Sequence, residues 1–333
     1  MFDPLENELP AELRALLESS DRTLVMHGAD YDVLSLRRDY GLVLGRVFDT
    51  MLAARFLGAP ALGLQGLLAA ELGVEIGKAE QRSDWGRRPL SPEQLEYAVR
   101  DTVHLLPLAE RLETKLKEVS RLSWLEEECE LLRNKVPELR PFDPEGWRQI
   151  KGIKGLSDLG HRAARAAYLW RDEQARKQDR APFRVLGNEI IALIAQRVTR
   201  EGPEALTRLD RIRGIPKGAA RASLLSALRD SPSQPVPPAP ARKPGRPATE
   251  RKNLDSEGKR RLLALKAARD QRAKELSFDP GFLAPNALLE ALAHRGASSL
   301  ADLAATEGMT RWRLEAFGDQ GLRALKDNLG AGR

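Results

Sequence analysis

The sequence predicts an α/β domain over residues 1–140 followed by two copies of one all-helical module, and three observations predict it. An apolar run, TLVMH (23–27), holds a β-branched pair and ends at Gly28, after which ADYDVLSLRRDY (29–40) turns helical. From residue 147 onward nothing reads as a strand, and the chain there is helical in pattern and rich in Ala, Leu and Arg. Within that part, residues 171–197 lie over residues 269–295 without a gap.

Size and charge agree with several domains. A chain of 333 residues exceeds what one core usually supports. Residues 1–146 carry 18 basic and 27 acidic side chains (net −9), and residues 147–333 carry 36 and 21 (net +15). An acidic front half joined to a basic rear half suits a carboxylate-bearing site coupled to a polyanion-binding module, although solvated basic helix faces produce the same balance. A lone Cys129 excludes an internal disulfide, and His27, His104, His161 and His294 are too scattered for zinc-finger spacing. No basic region followed by an apolar run opens the chain, and no stretch of about 18 uninterrupted apolar residues occurs in it. The expectation is a cytoplasmic protein without membrane association.

In chain order, TLVMH reads as a buried strand and 29–40 as a helix with Asp30 as its N-cap. A short helix follows at 50–57 and a Leu-rich one at 64–72, then the polar connector GKAEQRSDWGRRPL (77–90). The next helix opens with Ser91 at the N-cap, Pro92 at N1 and Gln94 at N3, a capping-box arrangement. Leu95, Ala98, Val99, Thr102, Leu105, Leu106, Ala109 and Leu112 form its expected core stripe, with Tyr97 and Asp101 along one edge. Pro107 lacks an N–H and should kink it.

The helical part divides into 147–230 and 253–330. Between them SPSQPVPPAPARKPGRPAT (231–249) holds seven of the 21 prolines and no aromatic residue, so 231–252 reads as an extended basic linker. The repeat pairs Arg171 with Arg269, Asp172 with Asp270, Asn188 with Asn286 and Arg197 with Arg295; after a four-residue deletion Gly214 falls over Gly308.

Asp32, Tyr97 and Asp101 are the residues that point to chemistry. Asp32 follows the carboxyl end of an apolar strand, where sites in open α/β sheets lie. Phosphodiester hydrolysis needs hard cations, for which carboxylates are natural ligands, and a Tyr one turn before a ligating Asp can hold the attacking water. Taken alone, a Tyr and an Asp four apart in a helix read as structural.

The order HGADYD (27–32), FDTMLAARFLG (48–58), KAEQRSDWGRRPL (78–90) and EYAVRDTVHLLPL (96–108) resembles ribonuclease D and its relatives, and the two repeats resemble the HRDC-type helical domain that follows the nuclease in that family. The resemblance implies a ribonuclease H-like fold and metal-dependent 3′-to-5′ hydrolysis of RNA, with precursors of transfer RNA as a substrate class and nucleoside monophosphates as products. It also implies two divalent ions, Mg²⁺ or Mn²⁺, and nucleic acid, RNA 3′ ends rather than DNA, as partner; no protein partner is expected. Asp32 then matches the second-motif acidic residue, Asp101 the third-motif Asp, and Tyr97 the Tyr that orients the water. Asp30 is the alternative to Asp32, and Asp49 is either a further site residue or a helix cap. Lys78, Arg82, Asp84 and Trp85 fall in the connector beside the site, as RNA contacts or, for Trp85, as packing onto the core.

The family's first motif, an Asp-x-Glu on the first strand, has no counterpart before His27: Asp3 and Glu6 have the wrong spacing, and Glu6 and Glu8 lie in a Pro-bounded polar stretch. The expectation is an N-terminally truncated nuclease domain lacking about three strands, with weak activity unless an upstream start restores it. In the first helical module, Lys217 and Arg221 of LDRIRGIPKGAARASLL (209–225) stand at a helix start where N–H groups can meet a phosphate, or where a Gly-capped turn joins two helices. The second module reads EGMTR (307–311) at that place, so the two need not bind alike. RKNLDSEGKRR (251–261) is either a phosphate-contacting run or a solvated helix approach. The rival reading is a non-catalytic nucleic-acid-binding protein that retains the nuclease scaffold. A helicase accessory module is a third reading, disfavoured by the lack of a GxxxxGK[ST] phosphate loop.

Overall fold

The structure is a computed structural model that describes residues 2–77, 83–137, 141–233 and 254–330. It forms two compact units, residues 1–138 together with 251–333, and residues 139–250. The linker expected over 231–252 falls mostly outside the described residues.

In the first unit, α1 (Ala11–Glu18) leads into β1 (Thr23–Met26), α2 (Asp30–Tyr40) and β2 (Arg46–Asp49). Both strands run parallel, Leu24 opposite Val47 and Met26 opposite Asp49, with α2 as the crossover. Against the reading of a buried strand, Thr23 is exposed and Leu24–Met26 only half-buried. Asp30 is not the N-cap either: Ala29 holds that place without a side-chain cap, and Asp30 opens the helix and pairs with Lys135. Gly41 ends α2 in the left-handed conformation.

Next come α3 (Thr50–Phe56), α4 (Leu64–Leu72), α5 (Pro92–Val103), α6 (Leu105–Glu118) and α7 (Leu122–Arg133). The capping box at α5 forms in full, the Gln94 N–H donating to Ser91 Oγ (3.2 Å) and the Ser91 N–H to Gln94 Oε1 (3.0 Å). Where Pro107 was expected to kink one helix, two helices meet at His104. Pro107 offers no N–H to the carbonyl of Val103, and that is where α5 ends. The expected core stripe divides at the same point. Leu108, Ala109 and Leu112 are buried, whereas Leu95, Val99 and Leu106 are exposed at 41%, 53% and 63%.

The 139–250 unit holds α8 (Asp158–Lys177), α9 (Pro182–Val185), α10 (Asn188–Glu201) and α11 (Gly218–Asp230) around Trp147, Trp170 and Ile191. The second helical module, within the first unit, contributes α12 (Ser256–Leu276), α13 (Pro280–Leu283), α14 (Asn286–Arg295), α15 (Leu300–Ala304) and α16 (Arg311–Gly330). A shared clamp marks the repeat. Arg171 Nη1 donates to Asn188 Oδ1 (2.6 Å) and the Leu186 carbonyl (3.2 Å), and Arg269 Nη1 donates to Asn286 Oδ1 (2.9 Å) and the Ala284 carbonyl (3.3 Å).

The second helical module shares a core with α3, α6 and α7. Phe56 stands edge-on to Phe278, Phe282 and Trp312, with centroids 5.9, 4.9 and 5.0 Å away. The Glu127 carboxylate accepts from the N–H groups of Arg311 and Trp312 (2.8 Å each), completing the open N-terminus of α16 from another element. Gly58 lies so close that a Cβ there would stand 2.8 Å from the Ser277 carbonyl oxygen. Among the described residues no helix is long and apolar enough to cross a membrane.

Candidate active site

The carboxyl ends of β1 and β2 are fastened together by one carboxylate. Asp49, 1% exposed, caps α3 by accepting from the N–H groups of Met51 (2.8 Å) and Leu52 (3.0 Å). It also accepts from those of Gly28 (3.1 Å) and Ala29 (2.7 Å). Four donors on two oxygens leave little capacity for a cation, so Asp49 is a structural clamp, the cap half of the sequence alternative. Gly28 sits at φ +64, and a Cβ would meet the Met51 methyl at 3.0 Å. Glycine is required where the chain turns under this clamp.

Beside the strand ends lies a cleft of about 1110 Å³ lined by His27, Asp32, Glu75, Tyr97 and Asp101 among others. The structure therefore brings Asp32, Tyr97 and Asp101 to one cavity, from α2 and α5. Asp30 lies elsewhere, lining a separate pocket with Lys135 and Arg313. Asp3 does not line the cleft and is gripped by Arg88 through Nε (2.5 Å) and Nη2 (2.6 Å).

Electrostatics set the cleft apart. Partial burial, and then the charge of Asp49, hold the Asp32 carboxyl above its ordinary range. Burial raises the Tyr97 phenol, and the charge of Asp101 and a hydrogen bond to it raise it further, keeping the hydroxyl protonated. Burial lowers His27 against the opposing pull of Asp49 and Asp101, so the ring is kept neutral. The sequence reading missed His27 and Glu75 as cleft residues. His27 was visible as the first residue of HGADYD, whereas exposed Glu75 carried no signal.

Trp85 is half-buried, its ring 6.0 Å from that of Tyr97 at 52°. Gln94 holds the connector there, donating through Nε2 to Ser83 Oγ (3.0 Å) and the Asp84 carbonyl (3.1 Å). Lys78 and Arg82 lie outside the described residues. In the other unit Lys217 is exposed at the N-cap of α11, and Arg221 is half-buried with its Nη2 4.0 Å from Asp210.

Among the described residues no three His, Cys, Asp or Glu side chains converge closely enough to hold a metal unaided. Asp32 and Asp101 supply hard oxygen ligands, and Mg²⁺-like ions commonly take one or two carboxylates and complete their shell with water and substrate phosphate. A destabilised carboxylate such as Asp32 gains from a nearby cation. Asp32 and Asp101 are the cleft carboxylates that would hold such an ion.

Fold and comparison with known proteins together define a nuclease of the 3′-5′ exonuclease class followed by HRDC helical domains. Residues 1–117 match the 3′-5′ exonuclease family, and residues 161–224 and 259–325 each match the HRDC domain. Ribonuclease D of Xanthomonas oryzae pv. oryzae is 32% identical over 295 residues, 88% of this chain and 77% of that protein. Escherichia coli RNase D shares the fold at 23% identity and TM-score 0.59, over 98% of this chain and 84% of that one. The catalytic core of RRP6 from Trypanosoma brucei, 28% identical with TM-score 0.53, is similar over 63% of this chain and 59% of that one. The chain belongs to the ribonuclease D family.

Proposed function

We propose that this protein is a divalent-metal-dependent 3′-to-5′ exoribonuclease that trims structured RNA, such as precursors of transfer RNA, from its 3′ end. The observation that carries the reading is the meeting of Asp32, Tyr97 and Asp101 in one cleft at the strand ends of a ribonuclease D-family chain. The description of the Escherichia coli relative as an exoribonuclease involved in structured RNA processing supports the substrate class. The cytoplasm is the compartment this reading assumes.

In this mechanism Asp32 and Asp101 would hold Mg²⁺ or Mn²⁺, which when bound would neutralise phosphate charge and acidify water. Tyr97, its hydroxyl proton held by Asp101, accepts a hydrogen bond from a water through the phenol oxygen and thereby orients that water for attack on the terminal phosphodiester. Cleavage of the P–O3′ bond leaves a nucleoside 5′-monophosphate and a new 3′-hydroxyl. Two ions, as the resemblance implies, are the finer part of the proposal. Trp85, beside Tyr97, offers a ring face to the incoming strand. Lys217 and Arg221, on the other compact unit, hold RNA phosphates.

The test is trimming of a 3′-overhanging RNA in Mn²⁺ by the protein and by Asp101→Asn and Tyr97→Phe variants. Loss of trimming in Asp101→Asn by at least about 100-fold, with folding retained, is expected if a ligand of the reacting centre is removed. RNA binding without any trimming by the unaltered protein would instead favour the non-catalytic binding reading.

A further inference from the structure

His27 lies in the cleft, but the mechanism above gives it no part. Its Nδ1 is 2.9 Å from Thr50 Oγ1, and that hydroxyl donates its single proton to the Met26 carbonyl at 3.0 Å. Thr50 therefore accepts from His27, and Nδ1 carries the proton. With the ring neutral, Nε2 is left with a lone pair, and among the described residues no hydrogen-bond partner of Nε2 is found. The pose is rigid, because Thr50 is fully buried at the start of α3, directly after the Asp49 clamp.

A fixed acceptor in an acidic cleft selects its ligand by chemistry. A phosphate diester has no proton to donate, so Nε2 has no use for it. Metal ligation is disfavoured too, since His27, Asp32 and Asp101 do not converge as a ligand group. A hydroxyl donor fits, and the RNA 3′ end brings two of them on its last ribose.

We propose that His27 is a specificity-determining residue whose Nε2 accepts a hydrogen bond from a hydroxyl of the terminal ribose, registering the RNA 3′ end in the cleft. The proposal rests on the exoribonuclease reading and deepens it. It places the sugar beside β1, with Asp32 and Asp101 facing the adjoining phosphate. DNA ends lack the 2′-hydroxyl and blocked ends lack the 3′-hydroxyl, so the same contact disfavours one or both.

The experiment is a coupling cycle on the full chain. The protein, His27→Ala and His27→Gln are compared on RNA oligonucleotides ending in ribose, 2′-deoxyribose or 3′-deoxyribose. Binding is read by fluorescence anisotropy without metal, and trimming is read in Mn²⁺. Removing the contacted hydroxyl is expected to weaken binding roughly 3- to 10-fold in the unaltered protein. His27→Ala should show the same loss on the ribose end and no further loss on the deoxy end, and His27→Gln, which keeps an acceptor and a donor, should recover discrimination. A ¹⁵N spectrum showing Nδ1 protonated and Nε2 bare checks the premise. If His27→Ala discriminates among the three ends as the unaltered protein does, the proposal is overturned. Because binding is read without metal, a protein that trims nothing still reports on His27, so failure of the nuclease reading is seen separately.

Discussion

Phe56, the last residue of α3, meets Trp312 of the second helical module edge-on, with centroids 5.0 Å apart and planes at 87°. Both side chains are fully buried, so the last module in the chain completes the core of the first domain. Phe56→Ala should destabilise residues 1–138 and 251–333 together by about 3–5 kcal/mol, since an aromatic cavity in a shared core cannot collapse from one side. Urea unfolding followed by tryptophan fluorescence and by far-ultraviolet dichroism checks this. Phe183→Ala, at a residue 70% exposed, should change stability by less than about 0.5 kcal/mol.

Asp49→Asn keeps the shape of the clamp but removes its charge and one of its acceptor oxygens. With its oxygen at the Oδ1 place, Asn still accepts from Gly28, Met51 and Leu52 but sets an amide NH2 against the Ala29 N–H, and a loss of about 2–4 kcal/mol is expected from the lost charge and the unpaired donor. Thermal and urea unfolding should both register it. A variant as stable as the parent would show that the four contacts carry no net stability.

His27 gives the fold a pH dependence of known sign. Its folded-state value is lowered, so the unfolded chain takes up a proton at a higher pH than the folded one. The stability contributed by the neutral ring is complete above about 6.5, the ordinary imidazole value, and is lost as pH falls below it through the lowered folded value. Melting temperatures from pH 8 to 5.5 should fall more for the parent than for His27→Gln.

Cys129 is 2% exposed, and burial pushes its thiol up to about 12. The folded protein should resist a thiol-reactive disulfide reagent at pH 8 and react with one equivalent once unfolded. Rapid modification of the native protein would show that α7 opens readily.

Lys217 and Arg221 should act on RNA affinity through charge alone. Replacing each by Ala is expected to lower the dependence of log Kd on log salt by about one phosphate contact, uniformly across RNA sequences. Anisotropy titrations between 50 and 300 mM KCl check this. An unchanged slope would return the GIPKG turn to a purely structural role.

Local chemistry was legible in the sequence. The Ser91–Gln94 capping box and the helix at 64–72 rest on contacts a few residues long and form where the sequence placed them, and the aligned Arg171 and Arg269 turn out to make the same clamp in both modules. Asp32, Tyr97 and Asp101 could be named from their order along the chain. Long-range pairing, by contrast, leaves no local trace. The second strand, RVFD, sets only two apolar residues between an Arg and an Asp, so no apolar run marks it. Asp49 could have been cap or ligand until its four donors were seen. Leu95 and Val99 carry a core-like period but face solvent, because hydrophobic period says which residues share a face and not what covers it. His27 became a candidate only when Thr50, twenty-three residues on, was found to hold its Nδ1. Sequence alone determined most of the helices, the repeat and the family, because these depend on neighbours along the chain. Only the tertiary structure decided which carboxylate clamps, which one faces the cleft and which helical module joins the nuclease core, because burial and hydrogen-bond partners are properties of contact in space.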